Sequence, residues 1–221
     1  MKTVRVRHSE KPLLVNKVFC LGRNYREHAR EMQAEVPDAP VVFLKPSAAL
    51  LTDGEDILRP AMSKLLHYES ELVIAIAKTG NRISPIKARE YIFGYGIGLD
   101  MTLRDVQDEA KKKGLPWAIA KGFDTSAPVS EIIPIAEIQN RLELTFECRV
   151  NGVPRQRGSV KDMIFSPEYI ISYLSFVFTL EEGDLIYTGT PEGVGEVKEG
   201  DVIEAELNGY TKISHKVKVL N

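Results

Sequence analysis

The segment Leu66-His67-Tyr68-Glu69-Ser70-Glu71-Leu72-Val73-Ile74-Ala75-Ile76-Ala77 puts two carboxylates two positions apart at the head of an apolar, β-branched run. Such a run reads as a strand, and side chains at i and i+2 of a strand point the same way. Glu69 and Glu71 therefore share a face with Val73, Ala75 and Ala77, while Leu72, Ile74 and Ile76 take the other. Both faces look buried, as in a central strand. Two like charges entering a core are costly unless they are paired or bound to a cation. Either a divalent metal sits there, or the mouth of the strand lets the pair reach solvent or an arginine.

A third carboxylate follows. In Tyr91-Ile92-Phe93-Gly94-Tyr95-Gly96-Ile97-Gly98-Leu99-Asp100, the residues Gly94, Gly96, Gly98 and Asp100 fall on one face. Glycines inside a strand mark close approach by backbone or ligand, so this bare face is a packing groove or a substrate floor. An all-oxygen set of Glu69, Glu71 and Asp100 suits Mg²⁺ or Mn²⁺ rather than Zn²⁺ or Cu. Three carboxylates would leave coordination positions for waters and a chelating substrate.

Further candidates lie elsewhere. His28 and Glu31 are three apart in Glu27-His28-Ala29-Arg30-Glu31, so on a helix they are neighbours. A carboxylate beside an imidazole orients the ring for acid/base work on a water; the alternative is a solvated, charge-rich helix. Lys121, between Ala118-Ile119-Ala120 and Gly122-Phe123-Asp124, is either a partly buried ammonium for a substrate carboxylate or oxyanion, or a lysine snorkelling from a turn. Arg23, Asn24 and Tyr25 follow a buried strand, where loops often carry function, although a turn explains them equally well. Thr188-Gly189-Thr190-Pro191-Glu192-Gly193 offers hydroxyls and backbone N–H groups to an anion but has no P-loop pattern. Lys45 reads as part of a surface turn, His67 as a structural histidine or an outer support for a metal, and Lys111-Lys112-Lys113 as a helix C-terminus.

At 221 residues with 43% hydrophobic and 27% charged residues, the chain suits one globular catalytic domain spanning 1–221. A net charge of −2 argues against a nucleic-acid or anionic-membrane partner. Cys20 and Cys148 form no C-x-x-C pair and lie in apolar runs, so buried free thiols and an intracellular, cytoplasmic location are expected. No apolar stretch is long enough to span a bilayer.

Turn and capping signals supply the frame. Strands are expected at Val18–Leu21, Val41–Leu44, the two carboxylate-bearing runs, 142–150, 184–188, 201–207 and 211–219. Asn151-Gly152 and Asn208-Gly209 serve as hairpin turns and Asp53-Gly54 as a tight turn. Helices are expected at 25–32 capped by Asn24, from Pro85 to Glu90 capped by Ser84, and at 167–178. Another should start at Thr102, with Asp105 completing a capping box, and end at Gly114. Strands outnumber helices, which gives a β-rich α+β fold with the carboxylate face at its centre.

Taken together, these motifs resemble the fumarylacetoacetate hydrolase family. The likeness runs from Cys20-Leu21-Gly22-Arg23-Asn24-Tyr25 to Thr188-Gly189-Thr190-Pro191-Glu192-Gly193-Val194-Gly195. Its most specific parts are His67-Tyr68-Glu69-Ser70-Glu71-Leu72, the Gly94 to Asp105 stretch and Ala120-Lys121-Gly122-Phe123-Asp124. The length is similar to that of short members related to acylpyruvate hydrolase and oxaloacetate decarboxylase. The resemblance implies a β-roll-like fold with a few short helices, a homodimer, and Mg²⁺ or Mn²⁺ on Glu69, Glu71 and Asp100. It implies a His28/Glu31 pair on a lid acting on water, and Lys121 in the substrate pocket. Arg104, Gln107 and Thr190 match further pocket positions, beside Arg23, Asn24 and Tyr25. The activity implied is metal-dependent C–C hydrolysis of small β-diketo acids (acylpyruvates) to pyruvate and an acid, with decarboxylation of oxaloacetate by the same enolate-stabilising site. A 2-hydroxyhepta-2,4-diene-1,7-dioate type isomerase or decarboxylase is the alternative within the family. A non-catalytic metal- or ligand-binding scaffold is the alternative outside enzymes.

Overall fold

The computed structural model describes residues 2–52 and 54–220, and its fold is the expected β-rich α+β arrangement with a few short helices. The expected turn at Asp53-Gly54 rests in part on Asp53, which lies outside the described residues.

A six-stranded sheet runs in the order Ile133–Pro134, Ile92–Leu99, Ser70–Ile76, Leu185–Tyr187, Val18–Gly22, Val41–Lys45. Ser70–Ile76 is antiparallel to both of its neighbours, and every one of its seven residues is buried. That two-sided burial explains the run's lack of polar alternation. A five-stranded sheet, Val153–Ser159, Thr145–Val150, Val202–Leu207, Thr211–Val219 and Ile57–Arg59, packs against the first. Its strands Val202–Leu207 and Thr211–Val219 alternate between buried and exposed residues, the signature of a sheet with one wet face.

The first carboxylate strand is not continuous. Leu66–Tyr68 belongs to a separate three-stranded sheet with Thr102–Leu103 and Gly195–Val197, and Ser70 begins the strand of the central sheet. Glu69 stands at the junction, where the chain passes from one sheet to the other. Period-2 patterning could not reveal this break, because both pieces are apolar. The glycine strand forms as expected over Ile92–Leu99, and its bare face proves to be a packing groove. A Cβ on Gly94 would fall 2.1 Å from the Ile133 carbonyl oxygen, and one on Gly98 2.5 Å from the Tyr187 ring. Both neighbours come from other strands of the same sheet, so the glycines let backbone and ring approach rather than a ligand.

Several caps differ from expectation. The first helix covers Arg26–Glu31, and Asn24 does not cap it. Asn24 instead donates to the Thr188 and Phe165 carbonyls and accepts from the Phe165 N–H, which ties two loops together. The helix Arg104–Lys113 starts without a side-chain cap. The Thr102 hydroxyl accepts from Lys121 Nζ (2.6 Å) and donates to the Asp100 carbonyl, and Asp105 accepts from Ser63 Oγ (2.6 Å) and the Lys64 N–H (2.8 Å). Tertiary partners have won both side chains from local capping. Gly114 does end that helix in the left-handed conformation, at φ 65°. Ser84 precedes Pro85–Ala88 without a side-chain bond, and a 3₁₀ turn, Arg89–Tyr91, completes that segment. The strand expected from residue 142 begins at Thr145, because Asn140 captures the Leu142 N–H and winds Arg141–Glu143 into a 3₁₀ turn. Helix Pro167–Val177 carries the expected Ser166–Pro167 start, with Ser166 accepting from the Tyr169 N–H.

Candidate active site

Glu69, Glu71 and Asp100 meet where the two sheets join. Each offers a carboxylate oxygen within 4.8 Å of the others, and all three are buried. Glu69 comes from the junction, Glu71 from the second position of the central strand, and Asp100 from the residue after the glycine strand. The register that pairs Glu71 with Gly98, and the Asp100 N–H bonded to the Glu69 carbonyl (2.8 Å), fix their relative heights.

Three buried cations face the three carboxylates. Lys121 Nζ lies 2.8 Å from Glu69, 2.6 Å from Asp100 and 2.6 Å from the Thr102 hydroxyl. Arg104 bonds Glu69, donates to Gln107 (2.6 Å), and directs its Nε at His67 Nδ1 (3.3 Å). Lys45 Nζ lies 2.8 Å from Asp100 Oδ1 but directs its protons at the Met101 and Lys121 carbonyls. Asp100 Oδ1 thus has an ionic neighbour and no hydrogen bond.

The charges are unevenly shared. Burial alone would raise the Glu69 pKa, but the Lys121 ammonium and Arg104 guanidinium outweigh it and hold Glu69 well below the usual carboxylate range. Among the described residues Glu71 has no cation partner of its own; the Gly189 N–H donates to it at 2.6 Å. Burial first, then the charges of Asp100 and Glu69, push its pKa well above normal. One carboxylate short of a counter-charge, an unbonded oxygen on a second, and an all-oxygen donor set are what a hard divalent cation requires. The residues present fit Mg²⁺ or Mn²⁺.

A cavity of about 200 Å³ opens beside this cluster. That is the scale of a small organic acid. Of its lining, Glu69, Lys121, Arg104, Gln107 and Thr190 are buried and form the inner wall, while Arg23, Lys111, Trp117 and Met32 are partly or fully exposed and form the outer wall. His28 also lines it, 6% exposed on the short helix. His28 Nδ1 is 3.2 Å from Glu31 Oε2, and Glu31 Oε1 accepts the Gly193 N–H at 3.0 Å. Glu31 is thereby anchored on one side and orients the imidazole on the other.

The expected residues divide clearly. Glu69, Glu71, Asp100 and Lys121 form one cluster, and Arg104, Gln107, Thr190, Arg23 and His28 line the adjoining cavity. Asn24 and Tyr25 do not line it. Asn24 is wholly spent on the loops at 165 and 188, and Tyr25 is buried on the other side of the short helix, beside Met163. The Thr188–Gly193 loop binds the chain's own Glu71 through Gly189, in place of a foreign anion. Lys45 is no surface lysine; it is 2% exposed at the end of an edge strand. Lys111 does more than end a helix: it lines the cavity, with its ammonium 5.6 Å from the Trp117 ring centre. Sequence reasoning missed Gln156. Its amide accepts from Ser70 N–H (2.9 Å) and Oγ (3.0 Å) and donates to Thr190 Oγ1 (2.8 Å) and the Pro191 carbonyl (2.9 Å). It holds the residue between the two glutamates and a cavity hydroxyl in one network. The signal was faint: Gln156 is flanked by Arg155 and Arg157, and only strand alternation places it inward.

The family profile described as "Fumarylacetoacetate (FAA) hydrolase C-terminal" matches residues 17–218. The chain is 50% identical over 201 residues to "Oxaloacetate tautomerase FAHD1, mitochondrial" of Bos taurus, covering 91% of each chain. A crystal structure of fumarylpyruvate hydrolase from Pseudomonas aeruginosa in complex with Mn²⁺ and pyruvate superimposes with a TM-score of 0.95 at 37% identity, covering 99% of this chain and 96% of that one. A 2-hydroxyhepta-2,4-diene-1,7-dioate isomerase from Mycobacterium marinum gives 0.82 at 35% identity, covering 94% and 76%.

Two predictions follow from the charge distribution and the amide network. Glu71→Gln will stabilise the metal-free protein in chemical denaturation, because it removes the carboxylate without a counter-charge. A raised folded-state pKa gives stability that is complete below the unfolded value near 4.5 and is lost as pH rises through the folded value. The advantage of Glu71→Gln over wild type must therefore grow as pH rises; a constant or shrinking gap would contradict it. Gln156→Leu will cost roughly 2–3 kcal/mol in urea unfolding, since it leaves the buried Ser70 N–H and Pro191 carbonyl without their partner.

Proposed function

This chain belongs to the fumarylacetoacetate hydrolase family, and on that premise we propose that residues 1–221 act as one catalytic domain, a divalent-metal-dependent enzyme that forms and protonates enolates of small 2-oxo acids. The observation that carries this reading is Glu71, a buried carboxylate without a cation partner beside a cavity lined by His28 and cationic side chains. Glu69, Glu71 and Asp100 would hold Mg²⁺ or Mn²⁺. Bound there, the ion would supply Lewis-acid stabilisation of negative charge on a substrate oxygen.

Oxaloacetate keto–enol interconversion is the first reaction proposed, supported by the 50% identity to the tautomerase. His28 takes a proton from C3 of the keto acid, the C3–H electron pair becomes the C2–C3 double bond, and the ketone oxygen gains a proton. The reverse sequence returns the keto form. Glu31 orients His28 for this exchange, and the Gly193 N–H fixes Glu31. Lys121 and Arg104 keep Glu69 ionised and in place.

The His28–Glu31 pair also favours a second reading, hydrolysis of acylpyruvates, supported by the likeness to the fumarylpyruvate hydrolase. His28 takes a proton from water, hydroxide adds to the distal carbonyl, and the C–C bond breaks. Its electron pair leaves on pyruvate as the enolate, which is then protonated. Decarboxylation of oxaloacetate needs the same enolate without the water. The homodimer is part of this proposal, supported by exposed Tyr169, Phe176 and Val177 on the helix Pro167–Val177. A cytoplasmic location is also part of the proposal, supported by the buried free thiols of Cys20 and Cys148.

The test is ultraviolet absorbance of the oxaloacetate enol, beside pyruvate release from acetylpyruvate, with Mg²⁺ and with EDTA. Metal-dependent enol decay is expected in the wild type. His28→Ala should lower it, and any acetylpyruvate cleavage, by about 10²–10⁴-fold. Enol decay indifferent to protein and metal would refute the reading.

A further inference from the structure

The inner site holds as many cations as carboxylates, although none of the cations pairs with Glu71. Lys45, Lys121 and Arg104 stand against Glu69, Glu71 and Asp100, three cations for three carboxylates. The outer wall of the same cavity adds two more cations. Lys111, the first of these, has one ion-pair partner among the described residues, Asp108 at 3.8 Å, and also feels the charge of Glu69. Arg23 makes no hydrogen bond or ion pair among the described residues, although it lines the cavity. Its backbone is left-handed, at φ 59°, an uncommon conformation for a long side chain. Strain of this kind at a cavity wall is a pointer to function. It arises where the strand Val18–Gly22 ends and the chain turns into the helix that carries His28.

We propose that Arg23 and Lys111 form a subsite for the distal carboxylate of the substrate and thereby select 2-oxo dicarboxylates over 2-oxo monocarboxylates. The inference rests on the proposed function and extends it to substrate class. A 2-oxo acid that turned its carboxylate and ketone towards the buried Glu69 and Lys121 would direct its far end to the more exposed part of the same cavity, where Arg23 and Lys111 lie. There an unpaired guanidinium offers two parallel donors that match a carboxylate, and an ammonium adds a second point charge. The Trp117 and Phe43 rings, 5.8 Å apart, contribute apolar wall that weakens screening by water. The subsite excludes no monocarboxylate by shape; it discriminates by charge.

Trp117 is the chain's one tryptophan and lines the cavity, so its fluorescence reports binding without requiring turnover. The Mg²⁺-loaded protein would be titrated with oxaloacetate and with 2-oxobutyrate, which share a four-carbon skeleton and differ at the distal carboxylate. Wild type should prefer oxaloacetate by about tenfold or more, the scale of one charge-assisted bidentate pair. Arg23→Gln should remove most of that preference, Lys111→Gln part of it, and the double variant nearly all. Rising ionic strength should erode it in the wild type alone, a check independent of any variant's folding. Equal affinities in wild type, or an unchanged ratio in the double variant, would overturn the proposal. Selective binding without metal-dependent enol decay would sink the enzymatic reading and leave this subsite standing.

Discussion

Three carboxylates buried in one core set the terms for the rest of this molecule. Such a cluster cannot stay ionised in a low-dielectric interior without counter-charge. The chain supplies Lys45, Lys121 and Arg104, and all three are buried. They pair with Glu69 and with Asp100, whose Oδ1 still accepts no hydrogen bond, and leave Glu71 with a single backbone donor. The site is held in readiness for further positive charge, at a cost that the surrounding core must offset.

Much of the architecture can be understood as the frame for that cluster. The chain crosses from one sheet to another at Glu69, so a glutamate at the junction and one two residues on, in the central strand, reach the same point. The glycine strand lies close to its neighbours because it has no side chains on one face, which brings Asp100 against Glu69. Gln156 reaches from the five-stranded sheet and locks Ser70 to Thr190. Asn24 binds the loops at 165 and 188, and the second of these places the Gly189 N–H on Glu71. The helix that carries His28 is only six residues long, and Glu31 on it is held by a backbone donor of the Thr188–Gly193 loop. Positioning here depends on polar cross-links between loops more than on regular structure.

The sequence made the carboxylates legible because each is anomalous where it stands: two glutamates opening an apolar run, and an aspartate ending a row of glycines. The strands were legible from their β-branched patterning, and both Asn-Gly turns from their dipeptides. Asn151 and Gly152, at φ 52° and 77°, bear this out. Residues that act through distant partners were misread. Asn24, Thr102 and Asp105 have the chemistry of helix caps, and only tertiary contacts show that they serve elsewhere. Lys45 and Lys111 looked like surface lysines because nothing local marks a lysine as buried or as facing a cavity. Gln156 sat between two arginines, and its partners lie 86 and 34 positions away. Whole-chain resemblance supplied the roles of His28, Arg104 and Gln107, which spacing alone left open.

The central claim is that Glu69, Glu71 and Asp100 form a divalent-cation site and that Lys121 partly neutralises it until the ion arrives. Anomalous diffraction from crystals soaked in Mn²⁺ tests this most directly. The account predicts one strong peak among the three carboxylates, with Glu71 as a ligand. No peak there at saturating Mn²⁺, or a peak only at surface carboxylates, would contradict it.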